Sequence, residues 1–245
     1  VIFENIAEAQ KKYAGCKDTL QISIDTKAKV SEGDYSRKGK CRTDSSGDLP
    51  KALDHDEPSK RKWTPFGILN LVSGALMILF NSSAETSDFW VDCLERWWES
   101  VKGSYPSIRC LVIYLENRPK SSGRRTQWLK RMVEFADQTG LKIRLLYYPP
   151  YHSKYNPIER CGGTLEQKWN GTLLNSIEVI LQQSQRMTWH GQPPSVSELK
   201  REYCHGVSLK KKEMAVYESR LQRSATLAKY DITIEPRCEA NTCNG

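Results

Sequence analysis

Hydrophobic and polar residues first alternate at Thr19 to Asp25, where polar side chains separate Leu20, Ile22 and Ile24. A period of two marks a strand. From Thr26 to Lys62 the chain is rich in Lys, Asp, Ser and Gly and poor in apolar residues, which predicts a long excursion off the core. Thr64 to Val72 and Ala75 to Phe80 follow as two strands joined hairpin-fashion at Ser73-Gly74. The period then changes. Phe89, Trp90, Cys93, Leu94, Trp97, Trp98 and Val101 recur at helical spacing behind the capping run Thr86-Ser87-Asp88. Leu111 to Leu115 is continuously apolar, as a strand covered on both faces should be.

A second amphipathic helix carries Trp128, Leu129, Met132, Val133 and Ala136, with Gly140 as its stop, and Leu141 to Tyr147 is the next strand. Asn156-Pro157-Ile158-Glu159 opens a third helix, Asn as cap and Pro at the first helical position. Leu173 to Leu181 continues the helical pattern. Two shorter helices are predicted at Ser195 to His205 and Lys210 to Arg223. The fold class is therefore α/β, a mixed sheet of five strands flanked by helices, with a small helical C-terminal extension. The predicted division is a core at 1–190 with its loop at 26–62, a basic helical extension at 191–235 and a frayed tail at 236–245. An RNase H-like core has this order of elements, and so do other mixed-sheet folds.

Composition narrows the class. The 245 residues include 37 Lys+Arg and 29 Asp+Glu, a net charge of +8, which makes a polyanionic partner or a plain solvated basic surface equally consistent. No apolar run approaches the roughly 20 residues of a membrane span. Val1-Ile2-Phe3-Glu4-Asn5 is neither a signal peptide nor an initiator sequence, so a cytoplasmic protein, and a fragment of a longer one, is expected. The 8 cysteines are scattered without a CxxC pair and the 4 histidines lack zinc-finger spacing. Several, such as Cys93 and Cys110, sit on predicted apolar faces as reduced buried thiols would, and a reducing cytoplasm fits this usage.

Three acids stand at the ends of elements: Asp25 ends the first strand, Glu116 ends the central apolar strand, and Glu159 lies in the first turn of the third helix. In open sheets, ligands gather at carboxyl ends of strands. Clustered carboxylates repel one another unless cations join them. Oxygen-only ligands favour Mg²⁺ or Mn²⁺, and two ions roughly 3.5–4 Å apart suit in-line phosphoryl transfer. Each acid also has an ordinary role open to it: turn former, loop acid, or helix-capping carboxylate.

The wording of several motifs adds a resemblance. Ser23-Ile24-Asp25-Thr26-Lys27-Ala28-Lys29-Val30, Lys51-Ala52-Leu53-Asp54-His55-Asp56, Glu85-Thr86-Ser87-Asp88-Phe89 and Tyr147 through Arg160 resemble the DDE transposases of bacterial insertion sequences, the ISAzo-type family, from Ile2 to about Pro236. The resemblance implies an RNase H-like, integrase-like core that cuts and joins transposon-end DNA with two divalent metals. It implies Asp25 and Glu159 as the first and last catalytic acids and Glu116 in the place of the second aspartate. It also implies DNA ends and target as partners, an oligomer on DNA, and a bacterial cytoplasm or nucleoid. The family typically reads Leu-Asp-Asn-Gly-Pro-Glu where this chain has Leu115-Glu116-Asn117-Arg118-Pro119-Lys120. Glu116 adds a methylene, Arg118 replaces a turn glycine, and Lys120 adds a cation. Where the family has Cys-Trp-Gly, this chain has Cys161-Gly162-Gly163, at a cost of about 1 kcal/mol in helix propensity. The family's helix-turn-helix-like N-terminal module has no counterpart in these residues.

Around this candidate site, Lys27, Lys29, Lys154 and Arg160 are candidates for phosphate contacts, and His152 and Tyr155 for positioning a strand; each is equally well a solvated loop residue. Asp54-His55-Asp56 cannot turn all three side chains to one ion in extended chain and reads as a loop element. Trp90, Trp97 and Trp98 read as core. The function classes that remain are a metal-dependent DNA strand transferase and a catalytically impaired remnant that folds and binds DNA without cutting it. A two-carboxylate glycosidase is weaker, with no sugar cleft in evidence.

Overall fold

The structure, a computed structural model, describes residues 1–35, 59, 61–150 and 152–237. The chain opens with a helix α1 (Ile2–Tyr13), which the sequence pattern did not single out, because only Ile6 and Ala9 of its length are buried. Strand β1 (Thr19–Thr26) follows, then a short β2 (Val30–Glu32) inside the expected excursion, the long β3 (Arg61–Asn70) and β4 (Leu76–Asn81). Helix α2 (Ser87–Val101), strand β5 (Cys110–Glu116), helix α3 (Thr126–Thr139), strand β6 (Lys142–Tyr148) and helix α4 (Ile158–Trp169) match the predicted alternation. Thr86 caps α2 by accepting from the Phe89 amide at 3.2 Å, and Gly140 ends α3 at φ 69°, a left-handed turn that glycine takes without a Cβ penalty.

Beyond α4 the outcome differs from expectation. Helix α5 is Ile177–Gln185 and excludes Leu173 and Leu174; Leu174 instead bridges Gly33. Ser195–Glu198 is a strand, β7, where a helix was predicted, because it pairs in parallel with β4. Helix α6 is only Lys211–Glu218, and two further strands follow it, β8 (Leu221–Arg223) and β9 (Asp231–Ile234). Among the described residues, then, the C-terminal stretch is helical only at α6, and the sheet has nine strands rather than five. The motif at Lys51–Asp56, with Asp54-His55-Asp56, and the tail beyond residue 237 lie outside the described residues.

The strand order is β7-β4-β3-β1-β5-β6-β9-β8, with β2 flanking β3. The pairs β1–β3 and β3–β4 are antiparallel, whereas β1–β5 and β5–β6 are parallel. Numbered within the inner five strands, that is 3-2-1-4-5 with an antiparallel first half, which is the RNase H-like arrangement.

Alternation along the strands sends residues to two faces. Leu20, Ile22 and Ile24 of β1 and Leu111, Ile113 and Leu115 of β5 join α2, α3 and Met214 of α6 in the larger core, with Trp90, Trp97 and Trp98 buried in it. The other face is divided. One cluster packs α4 and α5 over β3 and β4, centred on Trp63, Ile158, Leu165 and Trp169. The second packs α1 over β5 and β6 through Ile6, Val112, Tyr114 and Leu146. Between them run the polar residues of β1, Gln21, Ser23 and Asp25, all buried. Gln21 is satisfied by the Tyr114 hydroxyl, which donates to it at 2.7 Å. The candidate acids stand at the end of this seam.

Among the described residues no helix is long and apolar enough to cross a membrane.

Candidate active site

Parallel pairing sets the first two acids. Ser23 of β1 is in register with Tyr114 of β5, and two residues further along the same face are Asp25 and Glu116. Neighbouring strand ends therefore carry neighbouring carboxylates on the polar side of the sheet. The third comes from α4, whose first turn is tied to β1. The Ser23 hydroxyl donates to the side-chain oxygen Oδ1 of Asn156 and accepts from the Ile158 amide at 3.0 Å, while the Asn156 side-chain amide donates to the Ile24 carbonyl at 3.1 Å. Asn156 thus reaches across to the sheet rather than capping the helix with its side chain. On β3, opposite Asp25, Gly67 permits close approach: a Cβ there would lie 2.9 Å from Ile158 Cδ1. These contacts seat the start of α4 on β1 and bring Glu159 beside Asp25.

Ligand oxygens from Asp25, Glu116 and Glu159 lie within 4.8 Å of one another. Asp25 and Glu116 are buried and Glu159 is partly exposed, so the cluster opens to solvent on the helix side. Burial drives the Asp25 carboxyl well above its ordinary pKa; the guanidinium of Arg118 opposes this and the adjacent Glu159 carboxyl reinforces it. The Thr26 amide donates to Asp25 Oδ1 at 2.7 Å.

Arg118 stands in the middle. Its Nε donates to Glu116 Oε2 at 2.6 Å, and its Nη2 lies 3.0 Å from Asp25 Oδ2 and 3.5 Å from Glu159 Oε1. A tight turn after β5, with the Arg118 amide donating to the Glu116 carbonyl at 2.9 Å, folds the side chain back over the strand ends. From the sequence, Arg118 registered only as a replaced turn residue; that it reaches all three acids depends on the return of that turn.

The donor set fits a hard divalent cation: three carboxylates and no sulfur or imidazole, already gathered around a positive group. Asp25, Glu116 and Glu159 are the residues that would hold Mg²⁺ or Mn²⁺.

The remaining candidates scatter around this centre. Lys27 pairs with Glu166 of α4 at 3.3 Å and lines, with Asp25, Ile158, Glu159 and Gly162, a cavity of about 40 Å³. Lys29 and Arg160 are exposed. His152, Lys154 and Tyr155 form an exposed group with Phe3 of α1: the Tyr155 ring centroid lies 4.9 Å from Phe3 and 6.2 Å from His152, and Lys154 Nζ lies 5.1 Å over Tyr155. Phe3 had no signal in the sequence pattern and joins these aromatics only through packing of α1. Glu85 has a structural task, its Oε1 accepting from the Thr26 hydroxyl at 3.1 Å and from Trp90 Nε1 at 3.3 Å.

A buried acid at each of two adjacent parallel strand ends, with a third on α4 beyond β6, is an acidic trio at the end of an RNase H-like sheet. The family described as the Rhodopirellula transposase DDE domain matches residues 1–236, and the chain belongs to that family. No curated protein matches the sequence. Solved structures similar to this chain include a Mos1 transposase paired-end complex with the left transposon end, at 10% identity and TM-score 0.47 over 72% of this chain and 49% of that one. A Mos1 mariner paired-end complex with Mn matches at 9% identity and TM-score 0.48, with the same coverage. The HTLV-2 integrase catalytic core with magnesium, in its trimeric form, matches at 14% identity and TM-score 0.40 over 72% of this chain and 93% of that one. The chain spans about half the length of the Mos1 transposase chains it matches.

Proposed function

We propose that this domain serves DNA transposition by metal-dependent phosphoryl transfer, cutting transposon-end DNA and joining it to a target, with Asp25, Glu116 and Glu159 as the catalytic and metal-holding residues. The observation that carries the reading is the convergence of the three carboxylates within 4.8 Å from β1, β5 and α4, in a chain of the transposase DDE family. Two divalent ions bound there would supply Lewis-acid activation of an attacking oxygen and charge stabilisation of the leaving one. The chain's own part is positioning. β1 and β5 fix two acids on a rigid sheet, and the Ser23–Asn156 contacts fix the third. The partner is DNA: the net charge of +8 suits a polyanion. Lys29, Lys154 and Arg160 offer exposed cations for its backbone, and His152 and Tyr155 offer rings against which a strand could rest. Lys27, held by Glu166 near Glu159, is placed to approach a phosphate. Assembly of more than one copy on DNA belongs to the same reading.

A second reading is favoured by one observation, the guanidinium of Arg118 among the acids: a domain that folds and binds DNA without cutting it. Incubation of the protein with end-containing DNA and Mn²⁺ separates the two. Nicking that Glu159→Ala abolishes supports the strand-transferase reading. Nicking seen only after Glu116→Asp or Arg118→Gly supports the second.

A further inference from the structure

We infer that Arg118 is a tethered counter-cation that competes with divalent metal for the acid trio and thereby sets the metal affinity of the site. The inference rests on the reading of Asp25, Glu116 and Glu159 as metal ligands and adds a residue that regulates them.

The geometry is that of a cation held by all three acids at once. One edge of the guanidinium addresses them, Nε to Glu116 at 2.6 Å and Nη2 shared between Asp25 at 3.0 Å and Glu159 at 3.5 Å. A planar fork can divide its donors among separate carboxylates in this way, whereas the ammonium of a lysine acts as a single point charge. The acids need such a charge. Asp25 and Glu116 side chains are 4% and 8% exposed, and carboxylates this close raise one another's free energy unless a cation neutralises them. A metal ion ligated by the same residues, at roughly 2.0–2.6 Å from their oxygens, would claim the charge and the space that the guanidinium holds. The two cations exclude each other through shared partners. Arg118 is also able to leave: its side chain is 35% exposed, as is that of Glu159, so it borders solvent on the open side of the cluster. Metal loading is then an exchange of one cation for another, and its apparent affinity is lowered by the fraction of molecules in which the guanidinium is seated.

The test is Mn²⁺ binding to the DNA-free chain by isothermal titration calorimetry, with thermal unfolding in EDTA and in Mn²⁺ as a second readout. Arg118→Ala is expected to bind Mn²⁺ about tenfold or more tightly than the parent. Its melting temperature should drop in EDTA and recover with Mn²⁺ by more than the parent gains. Combining Arg118→Ala with Asp25→Asn should erase the gain. Arg118→Gln, neutral but of similar size, should behave as Arg118→Ala and serves if the alanine variant does not fold. Recovery of folding by Mn²⁺ in either variant also supports the inference. Equal Mn²⁺ affinity in parent and Arg118 variants, with binding lost in Asp25→Asn, would overturn the role of Arg118 and leave the metal site standing. Absence of Mn²⁺ binding in every variant would overturn the metal site and this inference together.

Discussion

The hydroxyl of Ser23 and the side chain of Asn156, separated by 133 positions in the chain, are hydrogen-bonded in the buried seam between β1 and α4. Ser23 also accepts from the Ile158 amide, and Asn156 donates to the Ile24 carbonyl. Two short polar side chains thus satisfy one another and two backbone groups at the point where the helix bearing Glu159 meets the strand bearing Asp25.

Ser23→Ala and Asn156→Ala are each expected to destabilise the fold by about 1–3 kcal/mol, since each leaves buried polar partners unpaired. The double variant should cost less than the sum of the two, because they remove one shared contact. Urea unfolding of the four proteins measures both effects.

Gly162 and Gly163 lie inside α4 without positive φ, and a Cβ on Gly162 would meet Lys27 Cδ at an ordinary 3.5 Å, while one on Gly163 meets nothing within 4 Å. Alanine at either position should stabilise the protein by about 0.5–1 kcal/mol through helix propensity. Thermal melts that show a lower midpoint for Gly163→Ala would contradict this.

Arg144 of β6 holds Asp231 of β9 through two donors, at 3.1 and 2.7 Å, and Asn5 of α1 donates to the same carboxylate at 3.1 Å. Arg144 also reaches the Tyr13 hydroxyl at 3.3 Å. Asp231→Ala leaves a partly buried guanidinium without its carboxylate and should cost about 1.5–3 kcal/mol. Because α1 shares the contact, limited trypsin digestion should cut at Lys11 and Lys12 faster in the variant.

Asp137 of α3 accepts from Arg220 at 3.1 and 2.7 Å and from the Arg237 amide at 2.8 Å. The hydrogen bonds from Arg220, more than the opposing burial, hold its carboxyl below the ordinary value of 3.8. A depressed folded-state pKa stabilises the protein above the unfolded value, and the contribution is lost as pH falls through the folded one. Stability measured from pH 5 downward should therefore decline less steeply in Asp137→Asn than in the parent. An unchanged slope would show that the pair contributes nothing.

What could be read along the chain follows from how local each signal is. The apolar run at Leu111–Leu115, the stripe of α2 and the stop at Gly140 each contain their own evidence, and all three appear where expected. Asp25, Glu116 and Glu159 were legible as element ends; the shared face of Asp25 and Glu116 follows from period two and parallel register, whereas Glu159 joins them only through the seating of α4 on β1. The strand at Ser195–Glu198 was not, since Ser-Val-Ser-Glu has no strong preference and is extended because β4 pairs with it. Ile232 and Ile234 do alternate within β9, a weak cue that length alone obscured. Arg118 was visible as an unusual residue at a turn; its three partners lie 2, 93 and 41 positions away and meet it only in the folded sheet.

The two outermost strands of the sheet, β7 and β8, both come from beyond residue 194. During translation, β4 on one border and β6 on the other would leave the ribosome with bare backbone, the first uncovered until β7 has emerged and the second until Ile234 of β9 has cleared the exit tunnel. Unpaired borders recruit other chains. A stalled or prematurely released product should therefore be a far greater aggregation hazard than the finished one, and its yield in a cell should track how promptly synthesis runs to completion.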